Sequence, residues 1–266
     1  MDLIVNGQRA YAYTGGKVFD PALPCMVFIH GALNDHSVWT LLARWFANHG
    51  HSVLAVDLPG HMRSPGQPLP SVEALADWTL GLMDAAQVQR ASLIGHSMGS
   101  LIALQAASIA PERASALMMV GTAVPMKVSQ VLLELSRHDP NAAIDMVVTF
   151  SHSSLAAKPS YPGPGSWLRG GSRALMRRVQ ASSAHGSLFH HDFSVCNNYQ
   201  GGLQAAKSVH CPVSLVLGHA DQMTPAKQAR EITQALNAKV HVLNAGHTLM
   251  TEAPEQLLGI LRTVLD

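Results

Sequence analysis

The chain has 266 residues, with 18 Lys and Arg against 17 Asp and Glu and a formal charge of +1. That length can bury a large core, and the near-neutral balance leaves no electrostatic footprint for nucleic acid or an anionic membrane. No stretch offers the roughly 18 uninterrupted apolar residues of a membrane span. The amino terminus, Met1-Asp2-Leu3-Ile4-Val5-Asn6-Gly7, lacks the basic and long apolar regions of a secretory leader. Cys25, Cys196 and Cys211 are odd in number and lack metal-type spacing, so they read as reduced thiols in a cytoplasmic protein.

Strands alternate with helices along the chain. Leu3-Ile4-Val5 and Arg9-Ala10-Tyr11-Ala12-Tyr13 flank Asn6-Gly7, a hairpin turn signal. The short apolar runs 25–29, 52–56, 91–94 and 116–120 suit strands buried on both faces. Amphipathic stretches predict helices over 38–48 and over 72–86, with Ser71 as N-cap of the second. A third helix-forming run covers 101–107, and after Pro212 the rhythm resumes with strand 213–217, helix 226–236, strand 240–243 and helix 255–265. Strands separated by helices imply parallel pairing with right-handed crossovers. The fold class is therefore α/β, with a mostly parallel, doubly wound central sheet.

The rhythm fails over residues 122–209. Helical stretches over 128–136, 142–150 and 173–183 surround the Gly/Pro-rich run 158–165. The segment is too long for an ordinary loop and too apolar to be disordered. It reads as a helical cap inserted into a core made of 1–121 and 210–266, above the carboxyl ends of the strands where open parallel sheets bind ligands. Trp167, Met176 and Phe189 supply apolar surface for a substrate pocket there, and 158–165 could let the cap move.

Chemistry concentrates in Gly95-His96-Ser97-Met98-Gly99, a G-x-S-x-G run at a strand-to-helix junction. A serine on so sharp a turn projects its hydroxyl off the sheet, and flanking glycines remove the Cβ atoms that would clash. A serine hydroxyl needs a base to attack at neutral pH. Imidazole, with an ordinary pKa near 6.5, can take that proton and return it to a leaving group. A buried carboxylate on the other ring nitrogen fixes the tautomer. His247, in Ala245-Gly246-His247 after a late strand, and Asp221, in Gly218-His219-Ala220-Asp221 after another, fill these roles, with Asp139 and Asp145 as the next acids in line.

These motifs, with His30-Gly31-Ala32-Leu33 and Asp57-Leu58-Pro59-Gly60-His61-Met62-Arg63-Ser64, make the chain resemble the α/β-hydrolase fold family, whose triads run in the order Ser, Asp, His. The resemblance implies an oxyanion hole from the N–H groups of Met98 and Ala32, with Leu33 beside the substrate. Two departures stand out. Met62 replaces a usual glycine, and Ser100 stands where a second glycine is frequent.

The implied activity is that of a serine hydrolase cleaving small to medium uncharged carboxylic esters or lactones through an acyl-serine, without cofactor or metal. The chain would work as a monomer or homodimer. Two alternatives share the site. One is a C–C bond hydrolase for an acidic dienoate, with Arg169, Arg173, Arg177 and Arg178 as the cationic pocket; the other is a slow-turnover ligand receptor. Fifteen histidines invite a metal reading, but the close clusters His49-Gly50-His51 and His190-His191-Asp192 lack a companion ligand motif.

Overall fold

The computed structural model describes residues 1–153 and 167–265. Eight strands form one sheet in the order β1-β2-β4-β3-β5-β6-β7-β8. Asn6 and Gly7, both at positive φ, close the hairpin of β1 (Asp2–Val5) and β2 (Gln8–Tyr13), as a two-residue turn between twisted strands requires. β2 also runs antiparallel to β4 (Ser52–Asp57). The remaining pairs, through β3 (Cys25–Ile29), β5 (Ala91–His96), β6 (Ala114–Val120), β7 (Val213–Gly218) and β8 (Lys239–Leu243), are parallel. Every residue of β3, β4 and β5 is buried, which is why these segments read as unbroken apolar runs. The edge strand β8 has exposed Val240 and Val242.

Helices cover both faces of the sheet. On one face α1 (Thr40–Ala47) and α11 (Pro254–Leu265) bury Leu42, Phe46, Leu257 and Leu261 against Phe28 and Val216. On the other, α2 (Val72–Ala85), α3 (Met98–Ile109) and α9 (Arg230–Ala235) enclose the larger apolar cluster. Ser71 caps α2 by accepting from Ala74 N–H.

Between β6 and β7 lie α4 (Gln130–His138), α5 (Pro140–Ser151), α6 (Leu168–Ser182), α7 (Leu188–Asn198) and α8 (Gly202–Ala206). The helices α4 to α7 share their own apolar cluster, built on Leu132, Ile144, Val148, Met176, Phe189 and Phe193. The end of this segment behaves differently. α8 packs on α3, Ala205 and Ala206 join the core cluster, and Tyr199 Oη donates to Gln105 Oε1 at 2.6 Å. Helices α4 to α7 thus share one apolar layer, while α8 packs with the helices on the sheet. Residues 158–165, where sequence suggested a hinge, lie outside the described residues. No helix among the described residues is long and apolar enough to cross a membrane.

Candidate active site

Ser97, His247, Asp221 and the loop after His30 all follow the carboxyl ends of parallel strands, so the fold gathers them along one edge of the sheet. Ser97 sits between β5 and α3 at φ 51° and ψ −120°. A Cβ on Gly95 would lie 2.0 Å from the Gly99 carbonyl oxygen, and one on Gly99 would lie 2.3 Å from that of Ile29. Only glycine allows that approach, so the G-x-S-x-G spacing is a packing requirement. Ser97 N–H donates to Val120 O at 2.9 Å, and Ser100, buried below the turn, places its Oγ 2.5 Å from Ser97 O and 2.7 Å from Thr122 Oγ1. The hydroxyl at the frequent glycine position thus braces the turn, a role the sequence did not signal.

Asp221 is buried and has a full set of donors. Its Oδ1 accepts from the N–H groups of Met223 and Thr224, each at 2.8 Å. Its Oδ2 accepts from Thr224 Oγ1 and His247 Nδ1, each again at 2.8 Å. Burial opposes the charge, but the facing His247 and the hydrogen bonds from His247 and Thr224 outweigh it and hold the pKa below the usual carboxylate value. Because a carboxylate only accepts, Nδ1 of His247 carries a proton, so that in the neutral ring the lone pair lies on Nε2. The other acids are engaged between β6 and β7, where Asp139 caps α5 and Asp145 bridges Arg173 and Arg177.

The His247 loop is held from two sides. Ser151, at the end of α5, accepts from His247 N–H at 2.7 Å. Buried Glu252, in α10 (Leu249–Glu252), accepts from Gly246 N–H at 3.1 Å and from Ser153 N–H at 3.0 Å. Beneath it, His96 donates from Nε2 to His247 O at 2.9 Å, and the two rings stack obliquely with centroids 4.7 Å apart. Burial, helped by neighbouring His247, lowers the His96 pKa to about 3, so the ring is neutral.

Two cavities meet at Ser97 and His247. The larger, of about 310 Å³, is walled by Met126, Leu132, Met146, Phe150 and Met223. The smaller, of about 60 Å³, is walled by Ala32, Asn34, Val147, Met176 and Phe193. Of the residues expected to contact substrate, only Met176 reaches a cavity. Leu33 and Phe189 are fully buried in the apolar cluster shared by α4 to α7. Trp167 is 52% exposed and turns its ring towards Gly170 and Arg173. Met126, which the sequence reading passed over, lies 4.0 Å from Ser97 Oγ through its sulfur; nothing in its local sequence marked it.

The helix start at Met98 presents N–H groups without intrahelical partners, and Ala32 walls the smaller cavity. Met62 sits at φ 41°, a left-handed backbone that glycine adopts more readily than a residue with a side chain. Among the described residues no group of three or more His, Cys, Asp and Glu is placed to hold a metal ion. The His190-His191-Asp192 run disperses: His190 Nδ1 bonds Leu133 O, His191 Nε2 bonds Leu69 O, and Asp192 turns to the core.

The sequence profile described as alpha/beta hydrolase fold matches residues 24–254. Among curated relatives, the chain is 28% identical over 245 residues to the dihydrolipoyllysine-residue acetyltransferase component of the acetoin cleaving system of Pseudomonas putida, covering 87% of this chain and 60% of that one. It is 30% identical over 114 residues to an esterase of Escherichia coli K12, covering 43% and 42%. The chain thus spans less than two thirds of the length of both relatives. Among solved structures, the enol-lactonase of Burkholderia xenovorans LB400 superposes with a TM-score of 0.83 at 21% identity, over 100% of this chain and 99% of that one. Strand order, the turn at Ser97 and a profile match across most of its length agree, and the chain belongs to the alpha/beta hydrolase fold family.

Proposed function

We propose that this protein is a serine hydrolase of uncharged carboxylic esters or lactones, working through an acyl-Ser97 intermediate. The observation that carries the reading is His247 Nδ1 at 2.8 Å from buried Asp221 Oδ2, with His247 and Ser97 on the walls of the same cavities. His247 Nε2 takes the proton as Ser97 Oγ attacks the carbonyl, and the N–H groups of Met98 and Ala32 receive the oxyanion. The tetrahedral adduct expels the alcohol, which leaves with the proton from His247. Water, deprotonated in turn by His247, then cleaves the acyl-serine and releases the acid. The esterase and enol-lactonase among the relatives agree in substrate class.

An uncharged acyl group is favoured by the cap arginines. Arg173 and Arg177 pair with Asp145, Arg178 pairs with Asp35, and neither these three nor Arg169 walls either cavity. That leaves an acidic dienoate without a partner among the four arginines, and Lys127, on the wall of the larger cavity, donates to Asn197 O.

A fluorophosphonate probe is expected to label Ser97, and Ser97→Ala to lower turnover by about 10⁴ to 10⁶ in a folded protein. Labelling elsewhere, or an active Ser97→Ala variant, would refute the mechanism. A panel of chromogenic esters, lactones and a dienoate distinguishes the substrate classes, and repeated turnover at steady state separates an enzyme from a receptor that cleaves its ligand once.

A further inference from the structure

Asp192 lies on α7 in the cap, yet its carboxylate is spent on the core. Asp192 Oδ2 accepts from Leu33 N–H at 2.8 Å, across 159 positions of sequence, and from His61 Nε2 at 3.0 Å. Both Asp192 and His61 are only 2% exposed. The second nitrogen of His61, Nδ1, faces Pro59 O at 3.2 Å. Both ring nitrogens of His61 therefore face acceptors, and the ring needs both protons to satisfy them. It is an imidazolium buried against a carboxylate. Burial opposes that charge, but Asp192 and the hydrogen bonds to Asp192 and Pro59 raise the His61 pKa above its ordinary value.

The neighbouring histidine is fixed in the opposite state. His30, with its ring centroid 4.9 Å from that of His61, donates from Nδ1 to Gly31 O at 2.8 Å and accepts from Leu58 N–H at Nε2. It is neutral, and burial with the charge on His61 lowers its pKa to about 4. The loop Gly31-Ala32-Leu33 is thus clasped at its start by His30 and at its end by Asp192. Leu33 sits at φ 52°, a conformation that a side-chain-bearing residue holds only when its surroundings impose it. Within the turn, Asn34 N–H donates to Gly31 O at 3.3 Å and Asn34 Nδ2 to Ala32 O at 3.0 Å; the bond from Leu33 N–H to Asp192 is the contact that ties this turn to α7.

We infer that Asp192 is a positioning residue: from the cap it holds the loop that aims Ala32 N–H at the oxyanion, with His61 as the counter-charge that keeps the carboxylate in place. This rests on the acyl-serine reading above. Its consequence is that cap and oxyanion hole are assembled together, so that the site is complete only with α7 seated on the core.

Three variants test the inference, with Arg178→Ala, which cuts the cap-to-core contact to Asp35, as control. Asp192→Ala removes the acceptor. Asp192→Glu moves it by about one carbon–carbon bond and guards against an Ala variant that does not fold. Asp192→Asn keeps an oxygen that can accept from both Leu33 and His61. Turnover of p-nitrophenyl acetate is counted per site titrated with fluorophosphonate, beside inhibition by a trifluoromethyl ketone and amide exchange of the segment 30–35.

We expect Asp192→Ala and Asp192→Glu to lower kcat about 10- to 100-fold with KM within about threefold, because a misplaced donor fails mainly in the transition state. The ketone should weaken in parallel with kcat/KM, exchange at 30–35 should quicken, and Asp192→Asn should stay within about fivefold of the parent. Loss no greater than in Arg178→Ala, or a fall in thermal stability with parental kcat and exchange, would overturn the inference. Failure of the parent to label at Ser97 overturns the acyl-serine reading instead, while the exchange measurement still decides whether Asp192 holds the loop.

Discussion

Replacing Asp221 with Asn tests the site most sharply, because the structure dictates how the amide must sit. The Oδ1 position receives two backbone N–H donors, from Met223 and Thr224, and so must be taken by the Asn oxygen. The NH₂ group then occupies the Oδ2 position, facing His247 Nδ1 and Thr224 Oγ1, and Thr224 can rotate its hydroxyl to accept. An amide N–H pointing at Nδ1 forces the neutral ring to carry its proton on Nε2, the nitrogen that should take the Ser97 proton. The expected loss is about 10⁴ in kcat, the size of a wrong-tautomer effect. Stability should change little, since every hydrogen bond keeps a partner. Asp221→Ala makes the contrasting case. It leaves the two backbone N–H groups buried and unpaired, at about 1–3 kcal/mol each, but lets His247 choose its tautomer. The Asn variant should therefore be at least as damaged in kcat as the Ala variant while unfolding at higher urea. Steady-state ester hydrolysis with urea titrations measures both, and an Asn variant within tenfold of the parent would refute the assignment of Asp221.

Acid stability should be set by the buried neutral histidines. His30 and His96 have folded pKa values of about 4 and about 3, so below pH 6.5 the unfolded chain takes up protons that the folded chain refuses. Stability is fully present above pH 6.5 and falls towards pH 4 by about 1.4 kcal/mol per unit for each ring; a urea midpoint unchanged between pH 7 and pH 5 would contradict this. Gly95→Ala, with its Cβ 2.0 Å from backbone, should destabilise by about 4 kcal/mol or more, whereas Gly259→Ala, exposed in α11 with nothing within 4 Å, should stabilise by up to about 1 kcal/mol. In the cap, Met176→Ala should shift the preferred acyl chain length. Phe189→Ala should instead cost about 3–5 kcal/mol of stability, and Trp167→Ala should do little to either; a change of ester ranking in Phe189→Ala and Trp167→Ala equal to that in Met176→Ala would refute the wall assignment.

The inner strands were legible because parallel strands covered on both faces leave unbroken apolar runs, as in Cys25-Met26-Val27-Phe28-Ile29, the first two because Asn6-Gly7 has few other uses, and the edge strand β8 through its β-branched Val240 and Val242. Ser97, His247 and Asp221 were legible for a related reason. Each sits in the turn after a strand, where glycine and small residues announce a sharp change of direction. Helix α7 was not legible. Leu188-Phe189-His190-His191-Asp192-Phe193-Ser194-Val195-Cys196 holds few strong helix formers. Its order comes from Phe189 and Phe193 in the cap cluster, Val195 and Cys196 in the core, and a cap by Ser187. α8 was missed for its length, and its place on α3 could not be read from chain order.

What escaped the sequence about the site has one physical origin. Asp192 and Leu33 are 159 positions apart, Ser153 and Glu252 are 99 apart, and His96 meets His247 across 151. No local periodicity encodes such pairs, because each is chosen by which loops the sheet brings to one edge. The polar character of the partners does leave a trace. Asp192, His61 and Glu252 are charged or titratable residues that are nonetheless buried, and a chain can bury such groups only when each has a partner waiting. Asp192 and Ser151 bond the loops carrying Ala32 and His247, beside further contacts at Asp35, Leu69 and the core cluster, and substitutions at the first two should alter activity before they alter the fold.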